Sequence, residues 1–360
     1  MQRTFLVISA RMGAGHEGAS RELARRIQER GHRAVVVDFL DAFPYPLAHL
    51  WRWFYLVQLR RFPESYEKSY QLFYRHPNLW SPFVRFERLL AGARTMRWVR
   101  EHKPDVIVST YSFATLVVGQ LRKEGKISVP TVNFLTDFGV HPRTVHPAID
   151  LNLAVHPVAA DKARTFVSAP VVATGPAVNP AFREDSEARV RSRHELGLAD
   201  DEPMVLVVSG SWGIGHDLEE TVATLVSGGL HVVTVCGSDA DLARRLTARG
   251  LGTVLGWTDE MPMLMAAADV VVENAGGLTS LEAFASGVPI VTFRPIPGHG
   301  RDNVAAMEAA GVTTVAADLD SLVSCVTRLA RPGPDRAGQL AAAKKLFAED
   351  PADRIVALSS

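Results

Sequence analysis

Apolar and polar positions along this chain alternate between two rhythms. Short runs rich in β-branched residues, at Phe5–Ser9, Ala34–Asp38, Asp105–Ser109, Thr131–Thr136 and Leu151–Val155, read as buried parallel strands. The pattern returns at Met204–Ser209, His231–Cys236, Val254–Trp257, Val270–Glu273 and Ile290–Phe293. Between these runs, Glu17–Arg30, Leu218–Val226, Leu242–Arg249 and Leu278–Ser286 carry helical spacing. Strand–helix alternation of this kind predicts an α/β fold, with parallel sheets covered by helices on both faces. Two prolines and a glycine in Thr174–Pro180 interrupt the rhythm, and it restarts at Met204. The expectation is two doubly wound, Rossmann-like domains, residues 1–174 and 175–360, facing a shared cleft at the carboxyl ends of their strands. The tail after Pro334 reads as two short helices, Gln339–Phe347 and Ala352–Leu358, and residues 335–360 are expected to pack back on the first domain.

One stretch breaks the rhythm. Phe43–Phe86 holds 14 of the 28 aromatic residues of the chain, among them Trp51, Trp53, Phe54, Tyr66, Tyr70 and Trp80. Arginines and a lysine thread through it and beyond it to residue 100: Arg52, Arg60, Arg61, Lys68, Arg75, Arg85 and Arg88. Amphipathic rings mixed with arginine suit a membrane interface with anionic headgroups, for which Trp51, Trp53 and Phe54 are the candidate anchors. They also suit rings packed against the first domain's sheet, or bases of single-stranded nucleic acid. Nothing else in the chain supports nucleic acid, and none is expected as a partner.

Charge sharpens the division. Residues 1–180 carry 24 Lys and Arg against 14 Asp and Glu, and residues 181–360 carry 15 against 25, so a net charge of zero hides a basic half and an acidic half. A basic half fits an anionic partner; two halves attracting each other is the alternative. Hydrophobic content of 47% with 22% charged residues fits a globular chain with two cores. No apolar run approaches the length of a spanning helix, and the residues before Phe5 are too few for a secretory signal. Cys236 and Cys325 read as buried thiols. A cytoplasmic protein, peripheral on the inner face of the membrane, is the expectation.

Two glycine-rich regions carry the candidate chemistry. After the first strand comes Gly13-Ala-Gly15-His16-Glu-Gly18, and Asp38 ends the second strand. That spacing fits the dinucleotide fingerprint, which would make the chain a nicotinamide-dependent oxidoreductase. His16 within the loop instead offers an imidazole. In the second half, Ser209–Gly215, with Ser211, Trp212 and Gly213, is read as ending a strand and opening a helix. Asn274 is followed by Gly276-Gly277-Leu278-Thr279, whose glycines admit a phosphate and whose Thr279 offers a hydroxyl. Glu282, three residues beyond Thr279, is placed to accept two hydrogen bonds from a ribose diol, or to sit in a first helical turn as a dipole partner.

Five motifs in one order carry a family resemblance. These are Gly13-Ala-Gly-His16, Thr136-Asp137-Phe-Gly-Val-His141, Gly256-Trp257 with Met261, Ala275-Gly-Gly-Leu-Thr-Ser-Leu-Glu282-Ala and Pro297-Gly298 followed by Asn303. Together they resemble the monogalactosyldiacylglycerol synthase branch of the inverting, metal-independent glycosyltransferases. The peptidoglycan lipid-intermediate GlcNAc transferase is a more distant relative. The resemblance covers nearly the whole chain, and it implies the GT-B architecture, with the insert at residues 43–100 as the membrane-facing, lipid-acceptor region.

The resemblance further implies transfer of a sugar from a nucleotide diphosphate, UDP foremost, to a lipid hydroxyl such as that of diacylglycerol, with no cofactor and no metal. A soluble natural product is the alternative acceptor, and a silent lipid- or partner-binding protein the non-catalytic alternative. His16 is implied as general base and Asp137 as an acid near the acceptor, with helix capping the other reading of each. Gly13, Gly15 and His141 would line the acceptor side. Gly276, Gly277, Leu278 and Thr279 would hold the diphosphate near Ser211, Trp212 and Gly213. Glu282 would take the ribose, Trp257 the base through its backbone, and His299 the donor sugar. Two positions depart from the pattern: His299-Gly300 stands where Gln-Glu is common, and Asn274 stands where a lysine is usual. The identity of the sugar is therefore open.

Overall fold

A computed structural model describes residues 1–76, 79, 81–199, 201–215 and 217–358. Trp80, counted among the aromatics above, lies outside the described residues. The chain divides into two units. The first is Met1–Ala177 together with Pro297–His299 and the chain from Ala348 onward; the second is Val178–Ile296 with Gly300–Phe347.

The first unit is built on a six-stranded parallel sheet of order β2-β1-β3-β4-β5-β6. Its strands are β1 (Thr4–Ser9), β2 (Arg33–Asp38), β3 (Val106–Ser109), β4 (Thr131–Leu135), β5 (Leu151–Ala154) and β6 (Val171–Ala173). The inner strands are buried at nearly every position, as a sheet covered on both faces requires. Helix α1 (Ala14–Glu29) follows β1 directly, and Gly13 at its N-cap has φ +104°, a conformation that favours glycine. The insert forms α2 (Leu47–Arg61), α3 (Pro63–Arg75) and α4 (Ser81–His102). Helix α5 (Ser112–Lys123) follows β3, and α6 (Pro157–Arg164) follows β5.

The second unit has the strand order β12-β11-β10-β7-β8-β9. Its strands are β7 (Met204–Val208), β8 (His231–Val235), β9 (Thr253–Leu255), β10 (Val270–Glu273), β11 (Ile290–Phe293) and β12 (Thr314–Ala316). From the first strand of the unit, β7, the chain winds one way to β9 and the other way from β10 to β12, the arrangement that binds nucleotides where the winding reverses. Helix α7 (Ser186–Glu195) precedes the sheet. Helices α8 (Leu218–Ser227), α9 (Ala240–Ala248), α10 (Met261–Ala267), α11 (Leu278–Ala285), α12 (His299–Ala309), α13 (Leu319–Leu329) and α14 (Pro334–Lys344) complete the alternation. At the amino ends of β7 and β10, the buried Arg193 and Arg189 both reach Asp269, whose carboxylate also accepts the Met204 N–H at 2.8 Å. This knot lies at the strand ends opposite those that bear the glycine loops.

Three readings of the sequence are corrected. Ser209–Gly215 does not open a helix: it runs as turns with Gly210 and Gly213 at φ +68° and +63°, and α8 starts only at Leu218. The strand expected through Trp257 stops at Leu255. The edge strands β6 and β12, three residues each, were not among the expected runs. Of the tail, α15 (Pro351–Ala357) lies in the first unit, where Asp350 pairs with Arg26 and Arg30 of α1; α14 lies in the second.

Candidate active site

The first unit places its glycine loop at the carboxyl end of β1, between β2 and β3, where the connections leave in opposite directions. His16, in the first turn of α1, is half-buried. Its Nδ1 lies 2.8 Å from the carbonyl oxygen of Thr110 and 3.3 Å from the Thr136 hydroxyl. A carbonyl only accepts, so Nδ1 is the donor here, and in the neutral ring Nε2 is the nitrogen with the free lone pair. The ring of Tyr111 meets the imidazole edge-on at 5.2 Å and restricts its rotation. The result is an imidazole held in one orientation.

Asp137, half-buried after β4, caps no helix, because the chain continues through bends to His141. The N-cap reading is excluded, which leaves its carboxylate for another role. Its charge is felt by the half-buried Tyr55 of α2, whose hydroxyl is pushed up to about 12 by desolvation. His141 is buried, and its Nδ1 accepts the Arg143 N–H at 3.1 Å, capping the 3-10 turn Pro142–Thr144. Burial lowers its pKa to about 4. The rings of Tyr70 and Tyr74 of α3 pack against it, tilted and edge-on, at 4.7 and 5.4 Å, so it joins the insert to the loop instead of lining an open surface. This corrects the acceptor-side expectation for His141.

Asp38 is also committed. Its carboxylate pairs with the Arg11 guanidinium and accepts the N–H groups of Arg11 and Leu40. An acid so occupied is poorly placed to bind a ribose diol, and the dinucleotide reading loses its ribose partner.

In the second unit the loops after β7 and β10 flank the point where the winding reverses. The Asn274 amide donates to the Ile214 carbonyl at 2.9 Å and ties the two loops together. Gly213 packs so closely on Cys236 and Asp239 that a Cβ would meet the Cys236 carbonyl at 2.6 Å. Ser211 and Trp212 are half-buried in the same turn. Helix α11 begins at Leu278, with Gly277 as its N-cap and no side-chain cap. The N–H groups of Gly277, Leu278 and Thr279 are those that a helix start leaves without intrahelical partners, and the helix dipole favours an anion there.

Gly276 has a different task from the one expected. Its N–H is taken by the Glu273 carboxylate at 2.6 Å; it turns at φ +65°, and a Cβ would meet Asn303 at 2.8 Å. Asn303 of α12 also donates to the Ala275 carbonyl at 3.1 Å.

Glu282 lies one turn into α11. Burial pushes its carboxyl up to about 8, and among the described residues no cation or donor offsets that cost. An acid desolvated without a partner is a common mark of a ligand site. Trp257 lies beyond β9 and is 62% exposed. His299 belongs to the first unit, where its Nδ1 is 3.0 Å from the Tyr66 hydroxyl of α3, while Glu67 accepts the Gly298 N–H at 2.6 Å. Tyr66 was marked in the sequence only as one of the insert's aromatics, and Glu67 was not singled out at all.

The insert exposes much apolar surface. Eleven of the sixteen exposed large apolar side chains among the described residues fall between Tyr45 and Leu89, including Trp51, Trp53 and Phe54. Such concentration marks an interaction surface more than it marks core. Others of its rings do pack inward, as Tyr66, Tyr70 and Tyr74 show. Among the described residues no helix is long and apolar enough to cross a membrane.

Two doubly wound sheets, each with a glycine loop at its winding reversal, are those of a glycosyltransferase of the GT-B architecture. Residues 16–178 match the monogalactosyldiacylglycerol (MGDG) synthase family, and residues 204–355 match the glycosyltransferase family 28 C-terminal domain. The processive diacylglycerol beta-glucosyltransferase of Bacillus pumilus is 27% identical over 340 residues, covering 91% of this chain and 86% of that protein. The MurG structure from Acinetobacter baumannii has a TM-score of 0.59 at 16% identity, covering 99% of this chain and all of that one. UGT89C1 of Arabidopsis thaliana, complexed with UDP-L-rhamnose, gives 0.64 at 15% identity, covering 100% and 98%.

Proposed function

We propose that this protein transfers a sugar from a UDP-sugar to a hydroxyl of a membrane lipid of the diacylglycerol kind, in a single inverting displacement that needs no metal. The observation that carries the chemistry is the Thr110 carbonyl on His16 Nδ1, which leaves Nε2 to take the acceptor's proton. As that proton leaves, the acceptor oxygen attacks the anomeric carbon and the bond to the diphosphate breaks. Charge that develops on the leaving diphosphate is met by the N–H groups of Gly277, Leu278 and Thr279 and by the dipole of α11. Glu282 takes the ribose diol, and Ser211, Trp212 and Gly213 border the phosphates. Trp257 lies against the base through its backbone, and His299 reads the sugar. Asp137 orients the acceptor or the imidazole, with Gly13 and Gly15 leaving room for the acceptor beside His16.

The lipid as acceptor is supported by the exposed rings of α2 beside Arg52, Arg60 and Arg61, which suit an anionic bilayer surface. It is also supported by the diacylglycerol substrate named for the Bacillus pumilus relative. The decisive test is a calorimetric titration with UDP, GDP, dTDP and NAD in parallel, without added metal. Binding of UDP is the expected result; binding of NAD in its place would return Gly13, Gly15 and Gly18 to the dinucleotide reading.

A further inference from the structure

Glu273 is an acid where the pattern of the chain least expects one, the last position of the otherwise all-valine strand β10, and it is 4% exposed. Its two carboxylate oxygens have different tasks. Oε2 accepts the N–H groups of Ala275 at 2.7 Å and Gly276 at 2.6 Å. Oε1 accepts the Thr292 hydroxyl of β11 at 2.6 Å, and that hydroxyl lies 2.8 Å from the hydroxyl of Thr313. A single buried side chain thus bolts the loop after β10 to the neighbouring strand. The loop is also held by the Asn303 amide on the Ala275 carbonyl, the Asn274 amide on Ile214 and the Ile296 N–H on the Asn274 carbonyl.

We infer that Glu273 is a positioning residue of the donor site: it consumes the N–H groups of Ala275 and Gly276, so that the next three, on Gly277, Leu278 and Thr279, are the ones turned to the nucleotide's diphosphate. The inference rests on the donor site lying at this loop. Two consequences follow from the geometry. Reach matters, because one oxygen must bridge two consecutive N–H groups from the end of a strand. Charge matters less, because all three partners are neutral donors and Thr292 can turn its hydroxyl toward Thr313.

Two variants separate reach from charge. Glu273→Asp keeps the charge but draws the carboxylate back by one methylene, out of range of the two N–H groups. Glu273→Gln keeps the reach: its amide oxygen bridges Ala275 and Gly276 while its NH2 donates to Thr292. Hydrogen bonds to charged groups of this kind correspond to affinity changes of about tenfold or more. We expect Glu273→Asp to bind UDP about tenfold more weakly with uridine affinity unchanged, and Glu273→Gln to stay within about threefold of wild type for both. A loss of UDP and uridine together would overturn the inference, as would an Asp variant that binds UDP like wild type or a Gln variant that loses as much as Asp. Amide hydrogen exchange adds a readout that needs no ligand: Ala275 and Gly276 lose protection in the Asp variant and keep it in the Gln variant. A wild-type protein that binds no UDP would sink the transferase reading, while exchange at these two amides would still judge the strut.

Discussion

Glu282 carries an electrostatic cost of burial beside the loop proposed to hold the donor. Its carboxyl titrates near 8 in the folded protein against about 4.5 when exposed, from burial alone. Between these values the folded state holds a proton that the unfolded chain has released, so stability falls as pH rises from about 4.5 to 8 and levels off above. Each pH unit corresponds to about 1.4 kcal/mol, so the whole window has an upper bound of about 5 kcal/mol. Because the residue keeps some contact with solvent, we discount this to roughly 2 kcal/mol. Glu282→Gln has no such titration. The variant should match wild type at pH 5 and exceed it at pH 8, by about 5 °C in Tm for a domain of this size.

The same substitution should harm function. A ribose diol donating to Glu282 favours the carboxylate, so wild type should release a proton on binding UDP at pH 7.5, where the diphosphate itself is already ionised. Calorimetry in buffers of different ionisation enthalpy counts that proton. The variant should release none at this site and bind UDP about tenfold more weakly. Parallel stability profiles for the two proteins would refute the buried-acid argument. Unchanged UDP affinity, with unchanged proton release, would refute the ribose assignment.

Two other substitutions test the acceptor side. His16→Ala should lower turnover by about 10²-fold or more while UDP still binds, and normal turnover would remove His16 from the mechanism. Replacing Trp51, Trp53 and Phe54 together with Ser should reduce sedimentation with phosphatidylglycerol vesicles and leave the melting temperature nearly unchanged, since all three are exposed; unchanged sedimentation would assign the membrane surface elsewhere.

Much of the second unit was legible because its signals were local and strong. The all-valine run of β10 and the helical spacing of Leu278–Ser286 mark their elements closely, and the structure agrees with the former at both ends. Elements that depend on partners were not legible. Strands β6 and β12 have three residues each, too few for a period, and exist because β5 and β11 supply an edge to pair with. Turn chemistry misled the reading of Ser209–Gly215: two glycines at positive φ delay the helix to Leu218, although the sequence there looks like a phosphate loop meeting a helix.

Site residues divide along a similar line. His16 and Glu282 were visible because each has a distinctive side chain a fixed distance from glycines. What they do, however, depends on residues far off in sequence: Thr110 sets the tautomer of His16 from 94 positions away. Asp38 and Glu273 show the reverse error. Both are acids at strand ends beside glycine loops, and spacing alone offers Asp38 as a ribose ligand in competition with Glu282. The structure spends Asp38 on Arg11 and Glu273 on the loop's own N–H groups, and leaves Glu282 as the acid with burial and no partner among the described residues. Which carboxylate can receive a ligand is therefore decided by which one the chain has not already satisfied, and that is a property of packing that no motif records.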